Sequence, residues 1–260
     1  MSCDVALIGY GEAGEALARA GGWNAIVYDV LAARRAAAGA MACDSAAEAF
    51  AAAPLVLSLV TADQALSAAE DCAANLAGKL WCDGNSVAPE TKRAAARAIE
   101  AAGGRYVDMA ILAPVEPARL AVPLLLSGST AVDAKVALDA LGFTNVRVVG
   151  SDVGKASAIK MIRSVMVKGI EALSDEMMAA ATAAGVADEV LASLDASEKA
   201  LSWAERSAYN FERMATHGLR RAAEMEESVK TLLALGVEPL MTRGTVQRQR
   251  DAAVSKERAS

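Results

Sequence analysis

Residues 4–22 read DVALIGYGEAGEALARAGG, and this stretch decides the fold of the first half of the chain. A short apolar run ends at Ile8, a group of glycines follows, and a helical pattern begins directly after them. The spacing of these glycines, between a strand and a helix, is typical of the turn on which α/β domains hold a dinucleotide pyrophosphate. We therefore expect cofactor contacts from six consecutive residues: Gly9, Tyr10, Gly11, Glu12, Ala13 and Gly14.

The alternation of strand and helix patterns continues to about residue 150. Alanine-rich helical stretches separate six further β-rich runs, which are AIVYDV (25–30), PLVLSLV (54–60), LWCDGNS (80–86), RYVDMAI (105–111), VPLLLSG (122–128) and NVRVVG (145–150). Such alternation predicts a parallel, doubly wound sheet. We expect an α/β domain of the Rossmann type over residues 1–152.

Strand patterns cease after this point, so residues 153–260 predict an all-helical second domain. Breaks between its helices are expected at Gly185, around residues 195–202 and near Gly218. The domain is the natural place for a substrate pocket and for contacts between subunits.

The first helix of this second domain, from about residue 153 to 184, is apolar on nearly all sides although it carries Lys160. An all-round apolar helix is normally buried. Because the rest of the chain is too short to cover it, we expect a second subunit to pack there. The sequence therefore predicts a homodimer formed through the helical domain.

Composition excludes several function classes. The chain has 260 residues, is 54% hydrophobic and carries a net charge of −6, with no basic stripe, so nucleic acid is not an expected partner. No apolar run reaches the roughly 18 residues of a membrane span, and no leader pattern precedes the first strand, so we expect a cytoplasmic protein. Four separated cysteines and one histidine predict no metal site.

Asp29 bears on the choice between NAD and NADP. It ends the second predicted strand, where a carboxylate can hold the adenosine ribose hydroxyls and would repel a 2'-phosphate. Arg34 and Arg35 follow closely and can pair with such a phosphate. The sequence favours NAD and leaves NADP open.

A second polar segment, DGNSVAPET (83–91), follows the strand LWCD. Polar groups at the carboxyl end of a parallel strand face the crevice where such sheets bind ligands, which makes Asn85 and Ser86 substrate candidates. The alternative is that Ser86 caps the helix that begins near Pro89.

The glycine turn, SLVTADQA (58–65), DGNSVAPET and Lys160 occur in this order, and together they resemble the β-hydroxyacid dehydrogenase superfamily. That superfamily includes 3-hydroxyisobutyrate dehydrogenase and 6-phosphogluconate dehydrogenase. The resemblance implies that Val60 and Thr61 line the nicotinamide ribose, and that Ser86, with Asn85 beside it, binds a substrate carboxylate. It also implies that Lys160, six residues after Gly154, is the catalytic lysine.

Three departures from the family pattern leave the substrate open. Leu112, Ala113 and Pro114 stand where the family carries Ser-Gly-Gly, and Ser164 replaces the usual asparagine. The family's distal Lys-Asp pair falls near residues 223–224, so the lysine is missing unless Arg220 or Arg221 takes its place. Whether Arg220, Arg221 or the lone histidine, His217, reaches the site is left open by the sequence. With these departures, the sequence resembles a subgroup of 6-phosphogluconate-dehydrogenase-like oxidoreductases whose helical domain has no assigned function.

We therefore expect an NAD(P)-dependent oxidoreductase that transfers hydride between the nicotinamide and a hydroxyacid or alcohol carbon. Burial lowers the pKa of a lysine, which suits Lys160 as general acid or base, and Ser164 lies one turn away on the same face. One alternative is an imine reductase or reductive aminase on the same scaffold. Another is an NAD-binding regulatory module without chemistry, which would have no need of Lys160.

Overall fold

The computed structural model describes residues 3–197 and 200–257. The chain divides into two compact units, Met1–Ser164 and Val165–Ser260. The division falls within one long helix, whereas the domain boundary expected from the sequence precedes that helix and stays a prediction.

The described residues contain seven strands and ten α-helices. The strands are β1 Val5–Ile8, β2 Ala25–Tyr28, β3 Leu55–Ser58, β4 Leu80–Asp83, β5 Arg105–Ile111, β6 Leu124–Ser127 and β7 Val146–Gly150. The helices are α1 Glu12–Gly21, α2 Ala32–Ala38, α3 Ala46–Ala52, α4 Ala65–Cys72, α5 Pro89–Ala101, α6 Ala131–Ala140, α7 Lys155–Ala183, α8 Ala187–Ser197, α9 Trp203–Ala234 and α10 Leu240–Glu257. All seven expected strands are confirmed, and so is the helical second part of the chain.

The strands form one sheet in the order β2-β1-β3-β4-β5-β6-β7. Along β1, Val5 and Leu7 pack into the hydrophobic core on one face, and Ala6 and Ile8 pack into the core on the other face. A sheet covered on both faces explains why the strands read as continuous apolar runs. The order reverses between β1 and β3, and this reversal opens a crevice at the carboxyl ends of both strands.

The expectation of an entirely parallel sheet was wrong at β6. This strand pairs antiparallel with β5, and β7 pairs parallel with β6. A parallel return requires a long crossover, usually a helix, but residues 112–123 contain only a short 3₁₀ turn at Arg119–Ala121. All four residues of β6 are buried, so its apolar pattern is the same for either strand direction.

The expected helix break near Gly218 was also wrong, because α9 continues through this residue. A Cβ atom on Gly218 would lie 2.2 Å from the carbonyl oxygen of Gln249. The glycine therefore allows α9 and α10 to pack closely, and it does not end the helix.

The expectation that α7 is buried around its circumference was wrong for the single chain. Its first turn is buried at Ala156 and Ser157, but Ile162 is 72% exposed and Val165 is 75% exposed. The apolar pattern of α7 thus marks an uncovered face. None of the helices in residues 3–197 and 200–257 is long and apolar enough to cross a membrane.

Within the second unit, a buried carboxylate joins α7 to the start of α10. Glu176 accepts hydrogen bonds from the Met241 amide at 2.7 Å, the Thr242 amide at 2.9 Å and the Thr242 hydroxyl at 2.5 Å. Burial raises the pKa of this carboxyl, but these bonds outweigh it, so the pKa of Glu176 lies below its usual value. The ionised form therefore stabilises the helical unit.

We expect Glu176→Gln to destabilise the second unit at pH 7 by about 1–3 kcal/mol. The NH₂ group of the glutamine would replace one accepting oxygen and would then face a backbone N–H, so that two donors would oppose each other. A carboxyl with a depressed pKa contributes stability above its unfolded pKa and loses it as the pH falls through the folded pKa. The difference between parent and variant should therefore shrink as the pH falls below the usual pKa of a glutamate, about 4.3. Urea unfolding followed by circular dichroism measures it, and a difference that stays constant with pH would contradict the assignment.

Candidate functional site

The glycine turn lies at the carboxyl end of β1, where the strand order reverses. Gly9 has a φ of +95°, and a Cβ atom there would lie 2.5 Å from the carbonyl oxygen of Leu59. A Cβ atom on Gly14 would lie 2.5 Å from the carbonyl oxygen of Gly9, whereas one on Gly11 would meet nothing within 4 Å. Gly9 and Gly14 therefore hold the turn closed, and Gly11 leaves open space beside the first amides of α1.

Asp29 supports this turn. Its Oδ2 accepts from the amide of Tyr10 at 2.8 Å, and its Oδ1 accepts from the amide of Leu31 at 2.8 Å. Arg35 donates to the Asp29 carbonyl at 2.6 Å, and its guanidinium lies 5.9 Å from the centre of the Tyr28 ring. Arg35 is thus engaged with the backbone beneath the turn, while Arg34 is exposed.

A cavity of about 490 Å³ opens beside these residues; we call it the Asp29 cavity. It is lined by Gly9, Gly11, Tyr28, Asp29 and Arg34 on one side, and by residues of the loop after β3 and of α4 on the other. Open space at Gly11, a carboxylate at a strand end and a largely apolar lining fit the pyrophosphate and adenosine parts of a dinucleotide.

Asn85 connects the loops after β3 and β4. Its Oδ1 accepts from the amide of Val60 at 2.7 Å, and its Nδ2 donates to the Ser58 hydroxyl at 3.0 Å. The side chain is almost fully buried, so the structure gives Asn85 a part in placing Val60. Direct contact of Asn85 with a substrate stays a prediction.

Lys160 and Ser86 meet at this edge of the sheet. The ammonium nitrogen of Lys160 lies 2.5 Å from the Ser86 hydroxyl oxygen, although 74 residues separate them in the chain. The alternative role of Ser86 as a helix cap is wrong, because Ala88 occupies the N-cap position of α5 and Pro89 follows it. Ser86 is exposed and Lys160 is half-buried, so both can reach a bound molecule.

The pair lines a second cavity of about 560 Å³, which we call the Lys160 cavity. Its other polar lining comes from Glu12, Thr61, Asn85 and Glu116, with Ala13 on the side of the glycine turn. The Lys160 and Asp29 cavities share three lining residues, which are Leu59, Val60 and Thr61. A molecule long enough to occupy both cavities would cross the loop after β3.

Three further sequence candidates, Ser164, His217 and Arg220, do not line either of these cavities. Ser164 is half-buried one turn after Lys160, but it is absent from the described lining of the Lys160 cavity. His217 and Arg220 line a different cavity within the second unit, and Arg220 forms an ion pair with Glu224. Ala113 and Pro114 do line the Lys160 cavity, as their place in the sequence suggested.

Sequence reasoning missed a buried charge network behind the site. Lys92 is fully buried, and its ammonium nitrogen lies 2.8 Å from Asp83 Oδ1 and 3.6 Å from Asp108 Oδ1. The Tyr106 hydroxyl donates to Asp83 Oδ2 at 2.6 Å, and burial, together with the Asp83 charge, raises the pKa of Tyr106 well above its usual value. The sequence signal that could have revealed this network is the single aspartate in each of two mainly apolar strands, Asp83 in β4 and Asp108 in β5.

With this geometry established, comparison with known proteins assigns the family. Residues 4–150 match the family described as the NAD binding domain of 6-phosphogluconate dehydrogenase. The chain belongs to this family. Residues 181–252 match a domain of unknown function, DUF1932. Both matches confirm the resemblance seen in the sequence, including the helical domain without an assigned function.

Three solved structures are similar to this chain over nearly its whole length. A conserved hypothetical protein from Sinorhizobium meliloti 1021 is 36% identical, over 96% of this chain and 88% of that one, with a TM-score of 0.60. A conserved protein of unknown function, described as structurally similar to 3-hydroxyacid dehydrogenases, is 29% identical over 98% and 99%, with a TM-score of 0.59. A reductive aminase from Aspergillus terreus, in complex with NADPH and ethyl levulinate, is 20% identical over 98% and 95%, with a TM-score of 0.78, which shows a shared fold.

The glycine turn allows a matched pair of tests. Gly11→Ala adds a methyl group to open space at a φ of −78°, so unfolding free energy should change by less than about 0.5 kcal/mol. NADH affinity should nevertheless fall about tenfold or more, because the methyl group occupies the space that the pyrophosphate approaches.

Gly14→Ala should instead destabilise the first unit by about 1–3 kcal/mol, since its Cβ atom would press against the Gly9 carbonyl. Thermal unfolding and fluorescence titration with NADH and NADPH measure both effects. Parent-like NADH binding by Gly11→Ala would show that the pyrophosphate lies elsewhere.

Proposed function

We propose that this protein is an NAD(P)-dependent oxidoreductase that transfers hydride between the nicotinamide and a hydroxyacid or alcohol carbon, with Lys160 as general acid/base. The observation that carries the proposal is the 2.5 Å contact between Lys160 and Ser86 in a cavity that adjoins the cofactor turn. A proton-transfer group and a hydroxyl group thus meet next to the place where the family binds its redox cofactor.

The residues of the chain divide the chemistry with the cofactor. A bound nicotinamide would supply or accept the hydride. For an alcohol substrate, the Lys160 amine takes the hydroxyl proton as the C–H bond gives up its hydride and the carbonyl forms. In the reverse direction the Lys160 ammonium returns that proton to the carbonyl oxygen. Ser86, within hydrogen-bond distance of Lys160, orients the same oxygen or a neighbouring polar group of the substrate.

The two cavities support a binding mode for the whole dinucleotide. Residues of the Asp29 cavity would hold the adenosine, Gly11 would leave room for the pyrophosphate, and Val60 and Thr61 would line the nicotinamide ribose. Glu12 and Ala13, which line the Lys160 cavity, would border the nicotinamide side.

We propose NAD as the preferred cofactor because the Asp29 carboxylate would repel a 2'-phosphate. Arg34, an exposed residue that lines the Asp29 cavity, still allows NADP to bind. NADH should therefore bind the parent protein more tightly than NADPH in the titrations described above, and the reverse order would contradict this preference.

A second candidate activity, imine reduction or reductive amination, is supported by the lining of the Lys160 cavity. Pro114 has no backbone N–H to offer, so one donor of the family's carboxylate-binding loop is missing. Glu12 and Glu116 add negative charge to the same lining, which suits a neutral or cationic substrate better than an acid. The third possibility, an NAD-binding regulatory module, would not require the Lys160–Ser86 pair.

We also propose a homodimer that forms through the helical part of the chain. Along α7, apolar side chains after Lys160 are exposed in the single chain, including Ile162, Val165 and Met166. A contiguous apolar face of this kind is normally covered in solution. Light scattering at micromolar concentration should give twice the 26.7 kDa mass of the chain, and a monomer would contradict the proposal. The four free cysteines suit the reducing cytoplasm that we propose as the location.

Lys160→Met should lower turnover by about 10²–10⁴-fold, because it removes the proton-transfer group while keeping a side chain of similar length. Affinity for NADH should stay within about twofold, since Lys160 lies outside the Asp29 cavity. Turnover is measured as reduction of NAD and NADP with a panel of 3-hydroxy acids, sugar acids, aryl alcohols and amines.

Lys168→Met, at an exposed position on the same helix, is the matched control and should retain parent turnover. A Lys160→Met enzyme within about tenfold of the parent would overturn the role of Lys160. A panel that gives no turnover, together with tight cofactor binding, would favour the regulatory module.

A further inference from the structure

The first turn of α7, which leads to Lys160, is bound to a single buried carboxylate. Asp108 Oδ2 accepts from the Gly154 amide at 3.1 Å, from the Ser157 amide at 3.0 Å and from the Ser157 hydroxyl at 3.0 Å. The Ser127 hydroxyl also donates to this oxygen at 3.1 Å and accepts from the Ala156 amide at 3.0 Å. Amides at the start of α7, which have no partner within the helix, are thus satisfied by β5 and β6.

The loop that carries Ser86 is bound to a second buried carboxylate. Asp83 Oδ1 accepts from the Asn85 amide at 2.9 Å and lies 2.8 Å from the Lys92 ammonium nitrogen. The same ammonium group lies 3.6 Å from Asp108 Oδ1. Lys92 therefore bridges the carboxylate behind Ser86 and the carboxylate behind Lys160.

We propose that Asp108 and Lys92 are positioning residues that set the distance between Lys160 and Ser86. Lys160 follows Gly154 by six residues, which is about 9 Å along a helix, so a small tilt of the first turn displaces its side chain appreciably. No part of the network needs to touch substrate or cofactor. The inference rests on the proposed function only in taking Lys160 as the acid/base.

Stability alone does not explain this arrangement. A buried ion pair contributes little net stability, and apolar side chains of similar volume are often as good. What a charged bridge provides is direction, because both oxygens of Asp83 and Oδ2 of Asp108 accept from defined donors. Oδ1 of Asp108 accepts no hydrogen bond from the described residues and instead faces the Lys92 ammonium nitrogen at 3.6 Å. The network thus holds two elements in one relative position, as a reacting pair requires.

Asp108→Asn tests the proposal with little risk to folding. The change keeps the size of the side chain and leaves Lys92 paired with Asp83, so no unbalanced buried charge remains. We expect kcat to fall about 10–100-fold, as for a misplacement on the order of 1 Å, with NADH affinity unchanged. Thr130→Val, which removes a hydroxyl bonded to the Tyr106 carbonyl beside the network, is the control and should keep parent kcat.

Two further measurements distinguish a positioning role of Asp108 from a general loss of structure in the variant. In a Lys160→Met background, Asp108→Asn should produce no additional loss of kcat, whereas an independent structural effect would multiply with the first loss. In a crystal structure of Asp108→Asn, the Lys160–Ser86 distance should exceed about 3.5 Å.

The proposal is overturned if that distance stays near 2.5 Å, or if the two losses multiply. Full turnover by Lys160→Met would overturn the acid/base role instead. The distance in the Asp108→Asn crystal structure would still decide whether the network positions Lys160.

Discussion

The Lys92 ammonium group lies between the carboxylates of Asp83 and Asp108 in the interior of the first unit. Removing three charges from water is expensive, and two carboxylates against one ammonium leave an excess negative charge. The amides of Gly154 and Ser157, at the positive end of α7, lie against Asp108 and offset that excess. The network therefore requires the end of β4, the middle of β5, α5 and the start of α7 to assemble together, because each charged group alone would be buried without its partners.

The fold was largely predictable because each strand is a mainly apolar run of four to seven residues, and helical patterns separate all of them except β5 and β6. Two features escaped prediction for physical reasons. The direction of β6 depends on its connection from β5, since a strand buried on both faces carries no pattern that distinguishes its two directions. Gly218 resembled a helix stop, and only the approach of Gln249 on α10 shows that it is a packing residue.

The candidate site was predictable to a different degree at each residue. The glycine turn followed from spacing, and the pairing of Ser86 with Lys160 followed from the order of motifs that the chain shares with a family. Lys92 was missed because its segment, PETKRAAARAIEA, alternates charged and alanine residues as a solvent-exposed helix does. Its burial depends on Asp83 and Asp108, which come from strands that only the folded sheet brings together.

Asp29 shows why cofactor preference is hard to assign from a single carboxylate. Both of its oxygens accept backbone amides, from Tyr10 and Leu31, so the side chain already holds the glycine turn in shape before any ribose binds. Carboxylate oxygens have further lone pairs, and a ribose hydroxyl can share them. Replacing Asp29 would therefore alter the turn and the ribose contact together, and a loss of NAD binding would not separate the two. Arg34 has no such part in the turn, because its side chain is exposed and lines the Asp29 cavity. The residue to replace when testing the preference between NAD and NADP is consequently Arg34, because Asp29 then stays in place and keeps the turn intact.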